Sequence, residues 1–128
     1  MSFPLWSLLI ASVLPIVSAW VCGYYRNKEF GKVDNKHPRQ QYAQLTGAGA
    51  RAVAAQQNAW EALAMYAPAV LVAHILGVTG SNVSLACGIF IVARVLYLIA
   101  YIANKDIIRS LLFMVGLASV ISLYVMAA

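Results

Sequence analysis

The sequence has 128 residues, of which 62% are hydrophobic and only 10% are charged, with a formal net charge of +5. Soluble domains carry roughly a quarter charged residues, and a water-soluble chain of this length could not bury so much apolar surface. The composition therefore excludes an ordinary soluble domain, and because the basic residues flank apolar segments rather than form a long stripe, it also excludes a nucleic-acid-binding surface.

Four apolar segments follow one another along the chain, and each reaches the roughly 20 residues that cross a bilayer as a helix. They cover about residues 3–25, 47–78, 83–103 and 107–127. None shows the two-residue alternation of a membrane β-barrel strand. The sequence therefore predicts an all-α integral membrane protein, one domain over residues 1–128 that forms a four-helix bundle.

The first segment has the flanking charges of a retained helix. No Lys or Arg precedes it, whereas Arg26 and Lys28 follow it. A cleaved signal peptide has the opposite order, with its positive residues before a short apolar stretch. We therefore expect the first segment to remain in the protein as a transmembrane helix.

A polar loop, residues 26–46, joins the first two segments. Pro38 is expected to end any local helix in this loop, because proline interrupts a helix interior. The two histidines, His37 and His74, have no Cys, His or carboxylate at ligand spacing. No metal site is therefore predicted.

The distribution of charge predicts the orientation in the membrane. Every Lys and Arg except Arg94 lies on the side of the first loop (26–46) and the third loop (104–106). By the positive-inside rule, both loops are cytoplasmic, and both termini then face the periplasm or a lumen. The compact length and the lack of an ER-retention tail favour a bacterial inner membrane over the endoplasmic reticulum.

Two charges, Glu61 and Arg94, fall inside the apolar segments, where ionisable groups are costly and usually functional. Counted along their helices, both lie roughly 15 Å from the cytoplasmic end. We therefore expect a Glu61–Arg94 ion pair or a shared polar cavity, within one subunit or across a subunit boundary. A structural alternative is that the pair only fixes the register of two helices.

Other polar residues share the helix faces of these two charges. Arg51 and Asn58 lie on the face of Glu61, and Tyr97 and Tyr101 lie on the face of Arg94. Together they predict a pocket for a small zwitterionic ligand. Its amine would meet Glu61, its carboxylates the arginines, and its amides Asn58 and the tyrosines.

The two segments that carry these residues resemble the MAPEG family, the membrane-associated proteins in eicosanoid and glutathione metabolism. They read RAVAAQQNAWE over residues 51–61 and RVLYLIAY over residues 94–101. The resemblance implies a homotrimer with glutathione bound between neighbouring subunits near the cytoplasmic face. The chain departs from many glutathione-using members at Ala54 and Phe113, where arginine and tyrosine are common.

The resemblance also implies roles for individual residues. Arg109 would stabilise the glutathione thiolate, and Ser110 could donate a hydrogen bond to the sulfur. The residues implied in binding are Arg26, Arg51, Gln56, Asn58, Glu61, Arg94, Tyr97 and Tyr101. Glutathione would be a cosubstrate, and no metal is required.

These observations lead to one principal hypothesis and two alternatives. The principal one is a membrane enzyme of the glutathione transferase or peroxidase type that acts on a lipophilic electrophile or a lipid hydroperoxide. The first alternative is a non-catalytic membrane protein that binds a lipid or small molecule in an intersubunit pocket. The second is a transporter, which the absence of helix breaks in symmetry-related positions disfavours.

Overall fold

A computed structural model describes all residues, 1–128, and contains five α-helices and no strand. The helices are α1 (Phe3–Phe30), α2 (Pro38–Gln44), α3 (Gly47–Ile75), α4 (Ser81–Ile102) and α5 (Asp106–Ala127). The predicted all-α class is confirmed. The first helix continues beyond its apolar segment to Phe30 and is capped by Gly31. The Gly31 N–H donates to the Asn27 carbonyl oxygen at 2.9 Å, and its positive φ of 75° turns the chain out of the helix.

The short helix α2 corrects the expectation for Pro38, which begins a helix instead of ending one. At the first helical position proline loses no hydrogen bond, and its fixed φ already suits a helix. The turn before α2 is stabilised by Asp34, whose carboxylate accepts hydrogen bonds from the backbone N–H groups of Lys36 and His37 at 2.9 and 3.0 Å.

Three helices, α1, α4 and α5, are long and apolar enough to cross a membrane, with mean hydropathies of 2.1, 2.3 and 2.1. The helix α3 is not among them, although it has 29 residues. It carries Asn58, Glu61 and His74 within its length. Three of the four long helices thus have both the length and the hydropathy of a membrane-spanning helix.

The four long helices pack side by side, with α3 and α4 between α1 and α5, which do not contact each other. The buried face of α3 consists largely of alanines, among them Ala52, Ala55 and Ala59. Such small residues allow neighbouring helices to approach closely. The close packing brings polar residues on α3 and α4 within hydrogen-bonding distance.

The apolar core lies in the half of the molecule away from the first loop. Tyr66 of α3 and Phe90 of α4 stack there, with ring centroids 3.7 Å apart, and Leu123 of α5 is fully buried beside them. The Ser7 hydroxyl of α1 is hydrogen-bonded to the Tyr66 hydroxyl at 2.5 Å. The half nearer the first loop holds the polar groups described next.

Candidate functional site

A continuous row of polar and aromatic side chains runs from α3 across α4 to the start of α5. Helix α4 contributes Arg94, Tyr97 and Tyr101, whose spacing of three and four residues places them on one face. Arg94 and Tyr97 are buried, with only 3% and 5% of their surfaces exposed. The middle of the row is therefore part of the packed interior, whereas Glu61 at its α3 end is exposed and Arg109 at its α5 end is half-buried.

At the α3 end of the row, Asn58 lies between the two charges that the sequence singled out. The Arg94 guanidinium donates to the Asn58 side-chain oxygen at 2.7 Å and to its backbone carbonyl oxygen at 3.3 Å. The Asn58 side-chain N–H group donates to the Glu61 carboxylate at 2.8 Å. An amide has both a donor and an acceptor, so it satisfies both neighbours.

This geometry corrects the predicted direct ion pair within one subunit. Glu61 and Arg94 both contact Asn58 and so lie at the same level of the bundle, but they are joined through Asn58 and not to each other. The Glu61 carboxylate is exposed on the surface of the chain, whereas Arg94 is buried. One oxygen of Glu61 is thus free to bind a further donor.

From the middle of the row to its α5 end, two arginines each lie over a tyrosine ring. Arg94 Cζ is 4.1 Å from the Tyr97 ring centroid, and Arg109 Cζ is 4.4 Å from the Tyr101 centroid. The two rings meet edge to face at 5.7 Å. A guanidinium over a ring face is attracted by the ring quadrupole, so the row is held together along its whole length.

The first turn of α5 places Arg109 beside α4. The Arg109 side chain is half-buried, whereas Ser110 is exposed and has no side-chain hydrogen bond. One turn later, the Phe113 ring lies 6.5 Å from the Tyr97 ring. The structure thus brings Arg109 into the row and leaves Ser110 at its edge.

Arg51 reaches the same region from the start of α3. Its Nε donates to the backbone carbonyl oxygen of Ile102 at 3.1 Å. The last carbonyls of a helix lack partners within the helix, so this bond stabilises the end of α4 directly beside Tyr101. Nothing in the sequence pattern indicated this contact.

Arg26 lies apart from the row, in a buried network at the end of α1. Its guanidinium donates to the Gln41 side-chain oxygen at 2.5 Å and to the Asp34 backbone oxygen at 2.6 Å. Its Cζ lies 4.9 Å from the Tyr42 ring centroid. Gln41 also donates to the Lys32 backbone oxygen at 2.9 Å, and its side chain therefore holds the first loop in place. The sequence pattern does not indicate this role of Gln41.

Gln56 also lies apart from the row, in a groove of about 560 Å³ between α2 and α3. Positions 56 and 58 are about 200° apart around a helix, so Gln56 and Asn58 occupy nearly opposite faces. The groove is lined by Pro38, Arg39, Tyr42, Ala43, Val53, Gln56, Gln57 and Trp60. Within one chain, Gln56 and the row do not form one site.

Outside the membrane-spanning segments, the carboxyl of Asp34 is stabilised as the anion. The hydrogen bond from the His37 backbone N–H is the main cause that lowers the pKa of Asp34, with a further contribution from the Lys36 N–H. The turn before α2 is therefore charged at neutral pH. It is a fixed part of the first loop.

The row has the chemistry of a site for a small anion or zwitterion. It offers an exposed carboxylate at Glu61, a phenol at Tyr101 and a half-buried guanidinium at Arg109. If a bound ligand placed a thiol beside the Arg109 guanidinium, the positive charge would favour the thiolate form of that ligand. No group of three or more His, Cys, Asp or Glu residues stands in a position to hold a metal ion.

Comparison with known proteins gives one match. A family model described as the MAPEG family matches residues 3–128. No curated protein and no solved structure matches the chain. The match extends over all five helices, including the three that are long and apolar enough to cross a membrane. This integral membrane protein therefore belongs to the MAPEG family.

Proposed function

We propose that the protein is a glutathione-dependent membrane enzyme of the transferase or peroxidase type. The observation that carries the proposal is the row that links Glu61, Asn58, Arg94, Tyr97, Tyr101 and Arg109. Family membership supports the same conclusion, because MAPEG proteins act in glutathione and eicosanoid metabolism. Glutathione is a cosubstrate in this proposal.

The groups of the row match the groups of glutathione. The free oxygen of Glu61 suits the ligand amine, and Arg94 together with the terminal nitrogens of Arg51 suits its carboxylates. Asn58 and the two tyrosine hydroxyls suit its amides. The ligand would then lie along the row, with its thiol toward α5.

At the α5 end, Arg109 would hold the sulfur as the thiolate. A free thiol has a pKa of about 8.5, and a nearby cation lowers that value. Ser110 could add a hydrogen bond to the sulfur. The thiolate would attack an electrophilic carbon as a leaving group departs. With a lipid hydroperoxide it would attack the outer oxygen, so that the O–O bond breaks and the alkoxide leaves and takes a proton from water to become the alcohol. The glutathione sulfenic acid formed in this step would react with a second glutathione to give the disulfide and water.

The lipophilic substrate would reach the thiolate from the bilayer. In this proposal the four long helices form a four-helix membrane bundle, with α3 as the fourth crossing. At 1.5 Å per residue its 29 residues measure about 43 Å, enough to span the hydrocarbon core. The first and third loops would be cytoplasmic and both termini periplasmic, in a bacterial inner membrane.

The complete site would form between subunits of a homotrimer. Gln56 faces a groove on the side of α3 opposite Asn58, so it can contact a ligand on the row only from a neighbouring chain. Arg26 lies near the same groove, beside Tyr42. The exposed polar side chains of α3, Gln57 and Glu61, also favour protein over lipid as their neighbour.

The test is the ultraviolet absorbance of the glutathione thiolate in purified protein in detergent. Arg109→Ala should abolish the thiolate signal at neutral pH, because it removes the cation next to the sulfur. Lys105→Ala removes an exposed cation one turn earlier and serves as the control, with an unchanged signal expected.

A wild-type protein that binds glutathione without forming the thiolate would refute the catalytic proposal and leave a binding protein. A wild-type protein that binds no glutathione would refute the proposed ligand as well. A signal that survives in Arg109→Ala would refute the assignment of the thiolate to Arg109.

A further inference from the structure

Arg109 is fixed by a ring and not by a hydrogen bond to a side chain. Its Cζ lies 4.4 Å from the Tyr101 ring centroid, and no carboxylate or amide side chain of the chain bonds to its guanidinium. An unrestrained arginine samples many rotamers, and ordering it costs side-chain entropy. The ring face of Tyr101 is therefore the main restraint on where this charge lies.

The Tyr101 ring is itself held from two directions. The Tyr97 ring contacts it edge to face at 5.7 Å, and Arg51 fixes the backbone of the next residue through the Ile102 carbonyl oxygen at 3.1 Å. Tyr97 in turn carries Arg94 over its face. These contacts hold the Tyr101 ring in one orientation at the end of α4.

We propose that the ring face of Tyr101 is a positioning element for Arg109, separate from any contact of its hydroxyl group with a ligand. The guanidinium and the aromatic face attract each other, and the planar guanidinium stacks on a flat ring. Tyr101 acts through Arg109 and is a positioning residue. The part of this inference that concerns the sulfur rests on the proposed function, whereas the stacking itself needs no ligand.

The stacking is tested in the ligand-free protein by nuclear magnetic resonance of labelled arginine side chains in micelles. The Arg109 side-chain N–H signal, identified by its absence in Arg109→Lys, should be shifted upfield by the ring current. The shift should persist in Tyr101→Phe and Tyr101→Trp, which keep a ring. It should be lost in Tyr101→Leu and in Tyr101→Met, a second ring-free variant in case the first does not fold.

An Arg109 signal that is the same in ring-containing and ring-free variants would overturn the proposal, whatever glutathione does. If the ring current behaves as expected and the wild type forms no thiolate, the positioning of Arg109 stands and the proposed function fails. The two failures are therefore distinguishable.

The consequence for the sulfur is tested by the fraction of bound glutathione that is thiolate at neutral pH. Tyr101→Phe should keep the wild-type fraction even if its affinity falls, because only the hydroxyl is lost. Tyr101→Leu and Tyr101→Met should reduce the ratio of thiolate to thiol by about threefold or more, as expected from loss of a cation–ring contact. An equal reduction in the Phe and Leu variants would assign the effect to the hydroxyl and overturn the proposal.

Discussion

Asn58 joins two opposite charges without letting them meet. Its side-chain oxygen accepts from Arg94 and its side-chain N–H group donates to Glu61. A direct ion pair would occupy both groups within the chain, and it would leave the largely buried Arg94 without its partner whenever a ligand displaced Glu61. Because Asn58 stands between them, Glu61 keeps an exposed carboxylate oxygen that a ligand can use without that cost.

Removing the charge of Glu61 should weaken glutathione binding. In Glu61→Gln the Asn58 contact can persist, but the charge-assisted hydrogen bond to the ligand amine is lost. Such bonds contribute about 1.5–3 kcal/mol, so the Kd should rise by roughly tenfold or more. Equilibrium binding measurements on the purified protein would detect the change.

The matched control uses a glutathione analogue that lacks the amine. That analogue should bind the wild type and Glu61→Gln with equal affinity, because its contact with Glu61 is already absent. An equal loss of affinity for glutathione and for the analogue would show that the carboxylate does not hold the amine.

Among the helices, α1 and α3 are joined by a buried hydrogen bond far from the row. Ser7 and Tyr66 are both fully buried, and their hydroxyl oxygens are 2.5 Å apart. The Ser7 hydroxyl also donates to the backbone oxygen of Pro4 at 2.5 Å. This polar contact lies within the apolar core, so it fixes the relative position of the two helices in a way that apolar packing alone does not.

The Ser7–Tyr66 contact should be measurable by a double-mutant cycle. Ser7→Ala leaves the Tyr66 hydroxyl without this partner and should lower the free energy of unfolding by about 1–2 kcal/mol. Tyr66→Phe in the Ser7→Ala background should add less than Tyr66→Phe alone. Unfolding in mixed detergent micelles provides the measurement, and strictly additive changes would contradict a direct coupling.

The periodicity and hydropathy of the sequence predict which residues share a helix face. They do not predict a contact that one residue makes with one particular partner on another helix. The spacing of Arg94, Tyr97 and Tyr101 placed these residues on one face of α4, as the structure has them. The intervening position of Asn58 and the bond from Arg51 to Ile102 depend on how two helices sit against each other. Nothing in the periodicity of either helix specifies that arrangement.

The first loop also contains contacts that the sequence does not predict. The polarity of residues 26–46 predicts a connection outside the apolar segments. Nothing in the sequence around Gln41 indicates that its side chain is hydrogen-bonded to Arg26 and to the Lys32 backbone. The sequence predicts that Pro38 ends a helix, but proline at a first helical position starts a helix equally well, and the structure has it there. Whether Pro38 begins or ends a helix depends on the preceding turn, which Asp34 stabilises.

For the whole molecule, the proposed trimer divides the site between neighbouring chains. The row would belong to one chain and the groove with Gln56 to the next. In a cyclic trimer each subunit then supplies one half of two different sites. Each half can therefore be inactivated separately.

Mixing two inactive chains should restore activity if the site is shared. Chains with Arg109→Ala and chains with Gln56→Leu would be co-expressed in equal amounts, and glutathione-dependent turnover of a lipophilic electrophile would be measured. A site made from the row of a Gln56→Leu chain and the groove of an Arg109→Ala chain is intact. Random assembly should thus return roughly a quarter of the wild-type activity.

The control is a mixture in which both substitutions are in the same chain and the partner is wild type. There the intact sites are those between two wild-type chains, which again make up roughly a quarter. Turnover no higher than that of either inactive trimer in the first mixture would place both halves within a single chain and contradict the shared site.

The bonding partners of four buried or half-buried arginines have a further consequence for the ligand-free protein. The acceptors of Arg26, Arg51 and Arg94 are amide and backbone oxygens, all of them neutral, and Arg109 rests on an aromatic ring. Neutral acceptors satisfy the N–H groups, but none of these four guanidinium groups forms a direct ion pair within the chain. An incoming anion would therefore be the first direct counterion of these arginines, and it would not have to displace a carboxylate of the chain.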